Sequence, residues 1–256
     1  MIETTPDPAE IEAAALKFNQ YVGTVKNFQP PVAHIQIDDD SNGNTHVHID
    51  VEHKGTQLAF ESIQEKDADD IHRYLNSQPI VRRLYGTGVP LSLEATNDRV
   101  KTLVERFHNK ESPMYLFSGF IVSDAQTDEF IGMATIGAGS ENGTCELGFL
   151  NRVEFWSHIP DVSSDDTQKN DEKNRSKTYS GIGTMEICTL LQYGAYLKER
   201  GFQVNGHEVK AIDAFAIIQN EGSWKSCAKA GMALHDVTVV PHYNQKLRYH
   251  LRKEFP

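Results

Sequence analysis

The longest run of apolar residues at helical spacing begins at Met185 and continues to Arg200. Two glycines in a G-x-G arrangement, Gly181 and Gly183, stand directly before it. Glycines at this place leave backbone amides at the positive end of a helix, where they can bind an anion. The pattern therefore predicts a helix whose N-terminus is a candidate phosphate-binding site.

Other helices are marked by their start signals and apolar stripes. Asp7-Pro8-Ala9-Glu10 is typical of a helix start, because Asp can cap, Pro fits the first turn and Glu completes a capping box. An apolar stripe follows and ends at Gly23. Further helices are predicted from Glu65 to Leu75, from about Ser92 to His108, and from Ser223 to Ala230.

Alternating or β-branched runs predict the strands. They cover residues 46–53, 58–63, 115–122, 130–136, 145–150, 211–219, 234–240 and 246–252. Runs 115–122 and 130–136 are joined by a short polar turn and predict a hairpin. The order of elements predicts a mixed α/β (α+β) fold, with helices on a largely antiparallel sheet.

One strand pattern invites a metal interpretation. His46, His48 and Asp50 alternate with Val47, Ile49 and Val51, so the polar side chains share one face. The solvated face of a half-buried strand explains the same alternation, and ligands from one strand rarely close a metal site without a partner from elsewhere. We therefore predict no metal site.

Composition narrows the class of protein. The 256 residues are 39% hydrophobic and 24% charged, and no apolar run approaches the roughly 18 residues of a membrane span. The acidic N-terminal stretch from Met1 to Asp7 lacks the basic and apolar regions of a secretory signal. We therefore expect a cytoplasmic protein that does not enter the membrane. Cys145, Cys188 and Cys227 are too few and too scattered for a disulfide framework or a zinc ribbon.

The net charge of −11 disfavours a nucleic-acid partner and mildly favours a cationic one. Residues 157–177 are polar and crowded with charge, and they are expected to form a mobile insert. We expect an N-terminal extension over residues 1–55 and one catalytic domain over residues 56–256 that carries this insert. The sequence leaves the oligomeric state open.

Two common glycine motifs are excluded. A Walker P-loop requires a Lys after its last glycine, and none follows Gly183. A dinucleotide fingerprint requires a third glycine where the chain has Glu186. The glycine-rich stretch therefore does not predict a nucleoside triphosphate or nicotinamide site.

Several segments carry a resemblance to a known family. Thr178-x-x-Gly181-Ile182-Gly183 is similar to a [QR]-x-x-G-x-[GA] loop, with Thr in the first position. Asn220 to Met232 resembles an "N-x-x-S … E-K-x-G-F" segment, in which Met232 replaces Phe. Similar matches are Asp128 to Gly132, Glu146-Leu147-Gly148-Phe149 and Leu58 to Leu75. Together they resemble the GNAT superfamily of acyl-CoA N-acyltransferases, and within it the RimJ/RimL-type branch that acetylates ribosomal-protein N-termini.

The resemblance covers about residues 56–255 and implies a GNAT fold, a twisted sheet with splayed central strands and flanking helices. It also implies acetyl-CoA as cofactor, with the pyrophosphate at the glycine loop and the pantetheine arm between strands 145–151 and 211–219. The implied cofactor-binding residues are Phe149, Leu150, Tyr179, Ser180, Gly181, Ile182, Gly183, Thr184, Asn220 and Ser223. Arg175 or Lys177 is expected near the ribose phosphate.

The resemblance also implies catalytic roles, each beside a plainer alternative. Glu146 is the candidate general base, or else a surface glutamate. Ser223 is expected near the thiol, or else as a helix cap, and Asn220 has the same alternative as a turn cap. Tyr249 is preferred to Tyr243 as the acid that protonates the thiolate, although core packing explains either tyrosine. Cys227 as a nucleophile is disfavoured, because no His is placed beside it.

The predicted function is transfer of an acetyl group to a primary amine, with a protein N-terminus, a lysine or a small cationic amine as acceptor. The alternative is a non-catalytic acyl-CoA-binding or protein-interaction module on the same fold. The predicted class of enzyme is therefore a transferase, more narrowly an acyltransferase and an N-acetyltransferase.

Overall fold

The computed structural model describes residues 7–25, 28–85, 87–156, 181–239 and 246–256. The helices are α1 (Pro8–Thr24), α2 (Ala68–Ile71), α3 (Pro79–Arg83), α4 (Leu93–His108), α5 (Ile182–Glu199) and α6 (Glu221–Lys229). The strands are β1 (Ala33–Asp39), β2 (Thr45–His53), β3 (Thr56–Ser62), β4 (Gly119–Asp124), β5 (Phe130–Ala138), β6 (Thr144–Asn151), β7 (Gln203–Val204), β8 (His207–Glu208), β9 (Ala211–Ile217), β10 (Ala233–Val239) and β11 (Leu247–Glu254).

Nine strands form one sheet in the order β1-β2-β3-β4-β5-β6-β9-β11-β10. Seven of the eight neighbouring pairs are antiparallel, and β6 and β9 are the parallel pair. Strands β7 and β8 form a separate two-stranded hairpin. The predicted mixed fold with a mostly antiparallel sheet is confirmed.

One predicted strand begins late. The run 115–122 enters the sheet as β4 at Gly119, because the chain turns before that residue. Leu116 has a φ of 70°, and the amide of Phe117 donates to the carbonyl of Met114 at 2.9 Å. The apolar side chains of this turn are buried nonetheless, which explains why their pattern resembles a strand.

Helices cover both faces of the sheet. On one face, a Cβ on Gly119 of β4 would lie 3.0 Å from Leu103 of α4. On the other face, a Cβ on Gly194 of α5 would lie 2.4 Å from Ile212 of β9. We call these the α4 face and the α5 face. Since side chains alternate along a strand, each residue of β5, β6 and β9 can be assigned to one of them.

The N-terminal residues are joined to the rest of the fold at several places. The side chain of Phe18 in α1 is 1% exposed and packs against Trp224 of α6. Gln192 of α5 accepts a hydrogen bond from the amide of Ala33 at 3.0 Å. Strands β1 and β2 continue the main sheet beside β3. The expected boundary between residues 55 and 56 falls in the β2–β3 connection and stays a prediction.

Within the part of the chain that the structure describes, every helix is too short or too polar to cross a membrane.

Candidate functional site

The site begins where the two parallel strands of the sheet separate. Strands β6 and β9 are paired at three positions, from Thr144 opposite Ala211 to Glu146 opposite Asp213. Beyond Glu146, β6 remains paired with β5, while its other edge and that of β9 diverge. The divergence opens a gap in the middle of the sheet and confirms the splayed central strands.

A cavity of about 910 Å³ occupies this gap and reaches both faces of the sheet. Its wall includes most of the predicted site residues: Glu146, Phe149, Leu150, Gly181, Ile182, Gly183, Thr184, Asn220 and Ser223. Sequence positions more than 70 apart, such as Glu146 and Ser223, are therefore brought to one cavity. Their roles remain predictions, since their proximity does not assign a reaction.

The N-terminus of α5 forms one end of the cavity. Gly181 caps the helix with a φ of 99°, a left-handed conformation that favours glycine. The amides of Ile182 and Gly183 precede the first intrahelical hydrogen bond, which joins the amide of Thr184 to the carbonyl of Gly181 at 3.0 Å. These amides and the helix dipole suit an anionic group.

Helix α6 lies against this end. A Cβ on Gly183 would lie 3.3 Å from Phe149 and 3.4 Å from Oγ of Ser226, so glycine permits close approach of the two helices and β6. Asn220 is the N-cap of α6, and its Oδ1 accepts from the amide of Ser223 at 3.3 Å. The capping alternative is thus observed for Asn220. It is wrong for Ser223, which lies inside the helix.

The α4 face forms the other side of the cavity. Glu146 and Gly148 of β6 share this face with Gly137 and Thr135 of β5, because these residues pair directly. A Cβ on Gly148 would lie 2.8 Å from Oη of Tyr85, so glycine leaves room for the phenol beside β6.

Sequence reasoning missed several residues of this wall, namely Tyr85, Arg99, Arg106 and Arg248. The spacing of Arg99, Thr102 and Arg106 along α4 was visible in the sequence. However, only the packing of α4 shows that this helix side faces the cavity rather than solvent.

The structure corrects the expectation for Tyr249. This residue is fully buried on the α5 face and does not line the cavity. Its hydroxyl donates to the carbonyl of Ala14 at 2.9 Å, and its ring packs against Phe18 and Trp224. Burial raises the pKa of Tyr249 to about 12. The tyrosine therefore holds α1 to the sheet and is not placed to protonate a thiolate.

Four other expectations concern residues outside the described ones: Tyr179, Ser180, Tyr243 and the pair Arg175 and Lys177. The expected insert at 157–177 also lies there.

The three cysteines, Cys145, Cys188 and Cys227, are all buried. Cys227 is 1% exposed, and burial raises the pKa of its thiol to about 12, which disfavours the nucleophilic thiolate.

A buried carboxyl group lies behind the cavity wall, where it contacts Asn151. Glu186 of α5 is completely buried, and its Oε2 accepts from Nδ2 of Asn151 at 2.7 Å. Burial raises the pKa of Glu186 to about 8, against the smaller opposing effect of that hydrogen bond. This side chain is therefore mostly protonated at neutral pH and joins the end of β6 to the first turns of α5.

The sequence matches a known domain family. Residues 57–158 match the family model described as an acetyltransferase (GNAT) domain. This range runs from β3 to just past β6 and contains the α4 face of the site. It confirms a GNAT acetyltransferase domain over these residues, and the RimJ/RimL-type branch stays a prediction. A comparison with curated protein sequences gave no significant match.

Solved structures share the fold at low sequence identity. An acetyltransferase of the GNAT family from Bacillus anthracis aligns with a TM-score of 0.53 at 18% identity, covering 77% of this chain and 94% of that chain. The ribosomal L7/L12 alpha-N-protein acetyltransferase RimL, solved in complex with coenzyme A, gives 0.53 at 11% identity, covering 80% and 98%. The Microcin C7 self-immunity acetyltransferase MccE, solved with acetyl-CoA and AMP, gives 0.52 at 12% identity, covering 77% and 92%.

Proposed function

We propose that this chain, which carries a GNAT acetyltransferase domain, transfers the acetyl group of acetyl-CoA to a primary amine. The observation that carries the proposal is the gap between β6 and β9. It connects the N-terminus of α5, on the α5 face, with the carboxylate of Glu146 on the α4 face. A transferase that joins two substrates needs such a passage, because both must meet at one point.

The α5 face suits the cofactor. The amides at Gly181 to Thr184 would hold the pyrophosphate, and Asn220 would fix the start of α6 beside it. The edge of β6 that has left β9 would pair with the extended pantetheine arm, as an added strand does. Phe149 and Leu150 lie on this stretch of β6. When bound, acetyl-CoA supplies an acyl group on a thiolate leaving group.

The α4 face suits the acceptor. An amine attacks only in its neutral form, so a base must remove its proton. Glu146 lies on this face next to the gap and is half-buried, which supports its carboxylate as that base. Ser223, at the opposite side of the cavity, would donate a hydrogen bond to charge that develops on the departing sulfur or the carbonyl oxygen.

The acceptor itself belongs to the proposal. RimL is named as an acetyltransferase of a ribosomal protein's N-terminus, and its fold likeness is consistent with a protein N-terminus as the amine. A lysine side chain or a small amine satisfies the same chemistry. The alternative function remains a non-catalytic acyl-CoA-binding module with the same cavity.

The test separates binding from turnover. We expect acetyl-CoA to raise the melting temperature, and we expect release of free thiol when amines are added. Glu146→Gln should lower turnover by about 10² to 10⁴-fold and leave the acetyl-CoA shift unchanged. The control is Glu105→Gln, an exposed glutamate on α4.

Each result has a distinct meaning. No stabilisation at saturating acetyl-CoA contradicts the cofactor assignment. Stabilisation with full turnover in Glu146→Gln removes Glu146 as the base. Stabilisation without acetylation of any amine favours the non-catalytic module.

A further inference from the structure

Two arginines of α4 line the acceptor side of the cavity. Arg99 and Arg106 are seven residues apart, which is close to two helical turns, so they project from the same side of the helix together with Thr102. Both arginines are half-buried. Their guanidinium groups belong to the wall of the cavity and not to the outer surface of α4.

Neither guanidinium has an acidic partner within the described part of the chain. Arg106 donates to the carbonyl of Phe117 at a long 3.4 Å. The nearest aromatic contact of Arg99 places its guanidinium 6.0 Å from the ring of Tyr85. By contrast, Lys225 on the opposite wall pairs with Glu221 at 2.6 Å. Half-buried arginines normally pair with an anion. The described residues supply none for these two, so their guanidinium groups suit an anionic ligand.

A third arginine increases the local positive charge. Arg82 is 3% exposed, donates from Nε to the carbonyl of Val89 at 3.1 Å, and lies with its guanidinium 5.5 Å from the ring of Tyr85. Burial, and to a smaller extent the charge of Arg99, lowers the pKa of both Arg82 and Arg106. An anion bound beside these arginines would oppose both effects.

The cluster lies beside the candidate base. A Cβ on Gly137 would lie 3.6 Å from Nη1 of Arg106, so the guanidinium rests on β5 at that glycine. Gly137 is directly opposite Glu146 in the β5–β6 ladder. Paired residues in such a ladder have Cα atoms about 5 Å apart. An anionic group held by Arg106 is thus within a few bonds of an amine at Glu146.

We propose that the acceptor is a primary amine that also carries an anionic oxygen group, a carboxylate or a phosphate, which Arg106 and Arg99 bind. This inference rests on the proposed acetyl transfer and specifies its substrate class. It departs from the cationic acceptor that the net charge favours, because the whole-chain charge does not describe the cavity wall. Guanidinium groups match carboxylate and phosphate oxygens with paired hydrogen bonds, which would fix the orientation of the amine.

The experiment compares acceptors of equal length and different charge. The panel consists of ω-amino carboxylates, aminoalkyl phosphates, neutral amino alcohols and diamines with two to six carbons. The kcat/KM of acetylation is measured at saturating acetyl-CoA. We expect the carboxylates or the phosphates to exceed the neutral and cationic amines by at least about tenfold, and the better of the two names the group.

Variants connect the preference to the arginines. Arg106→Gln should lower kcat/KM for the anionic amines by about 10- to 100-fold, mainly through KM, and leave the neutral amines and the KM of acetyl-CoA unchanged. Arg99→Gln should lower kcat/KM for the anionic amines in the same direction, because Arg99 lines the same cavity wall. Lys101→Gln, an exposed cation on the same helix, is the matched control.

Several outcomes overturn the proposal. Equal rates for anionic and neutral amines contradict it, and so does a preference for diamines. If Arg106→Gln raises the KM of acetyl-CoA instead, the arginines serve the cofactor.

If no amine is acetylated, the same panel is tested for thermal stabilisation of the coenzyme A-saturated protein. Stabilisation by the anionic members that Arg106→Gln abolishes supports the proposal, and its absence overturns it. Stabilisation by acetyl-CoA alone is measured separately. Failure of the proposed acetyl transfer can therefore be distinguished from failure of the proposed anionic acceptor.

Discussion

At the scale of single residues, burial decides which polar groups are structural. Glu186 was expected only as the residue that breaks a dinucleotide motif, yet it is fully buried beside Asn151. Tyr249 was expected as an acid, yet its hydroxyl is held by Ala14. Neither environment follows from the neighbouring sequence, because both depend on residues that are distant along the chain.

The buried carboxyl of Glu186 predicts a pH dependence of stability. Its pKa is raised to about 8 in the folded protein, above the roughly 4.3 of an exposed glutamate in the unfolded chain. The folded state therefore binds the proton more tightly. This contribution is fully present below about pH 4 and is lost as the pH rises through 8, with a slope of up to about 1.4 kcal/mol per pH unit between the two pKa values.

Glu186→Gln should remove this dependence, because a neutral amide of the same shape replaces the titrating group. We expect the variant to gain stability relative to the wild type between pH 6 and 9, measured by urea unfolding. Glu199→Gln, an exposed glutamate on the same helix, should keep the wild-type slope. Parallel slopes for the Glu186→Gln variant and the wild type would contradict a raised pKa.

At the scale of elements, the two ends of α5 use glycine for different purposes. Gly181 has a φ of 99° at the cavity, and Gly201 has a φ of 76° after the other end of the helix. A Cβ on either glycine would meet no atom within 4 Å. The cost of alanine at both positions is therefore backbone strain alone, about 1–2 kcal/mol.

This pair gives a matched test of the proposed cofactor site. Gly181→Ala and Gly201→Ala should lower the free energy of unfolding by similar amounts. Only Gly181→Ala should also weaken acetyl-CoA binding in calorimetry, by about tenfold, because strain at the helix cap turns the first amides away from the anion. Equal affinities for the two variants would contradict anion binding at this helix end.

At the scale of the whole molecule, the N-terminal helix is part of the structure that supports the site. Phe18 packs with Trp224 and Tyr249, and Lys17 pairs with Glu221 at 2.5 Å. Both Trp224 and Glu221 belong to α6, whose N-cap Asn220 lines the cavity. Helix α1 therefore packs against α6 and stabilises its position.

Truncation of Phe18 tests this connection. Phe18→Ala should lower the free energy of unfolding by about 3–5 kcal/mol, because it removes a fully buried ring from an aromatic cluster. Leu16→Ala on the same helix should change it by less than about 0.5 kcal/mol, since that side chain is 59% exposed. The measurement is chemical denaturation, and an unchanged midpoint for Phe18→Ala would show that α1 is not part of the cooperative unit.

The sequence by itself determined most of the elements, the resemblance to a GNAT domain and the helix whose N-terminus is the candidate anion site. These features depend on patterns among neighbouring residues, such as the spacing of apolar residues, the cap at Asp7 and the glycines before α5. A period of two or of 3.6 residues is set by the backbone within each segment, so neighbouring residues are sufficient to show it. Predicted bounds consequently differ from the observed ones by a few residues.

Only the tertiary structure decided which side chains face the cavity. The gap opens where β6 and β9 diverge, and the pairing of these strands joins residues 65 or more apart in sequence. The packing of α4 on β5 brings Arg106 to Gly137, opposite Glu146, and puts Arg99 in the same cavity wall, whereas the sequence offers only their helical spacing. Long-range packing has no local signature. For this reason Glu146 and the glycines have a signal in the sequence, whereas the place of the arginines in the cavity wall does not. For Tyr249, burial against Phe18 and Trp224 decides between the two alternatives in favour of core packing.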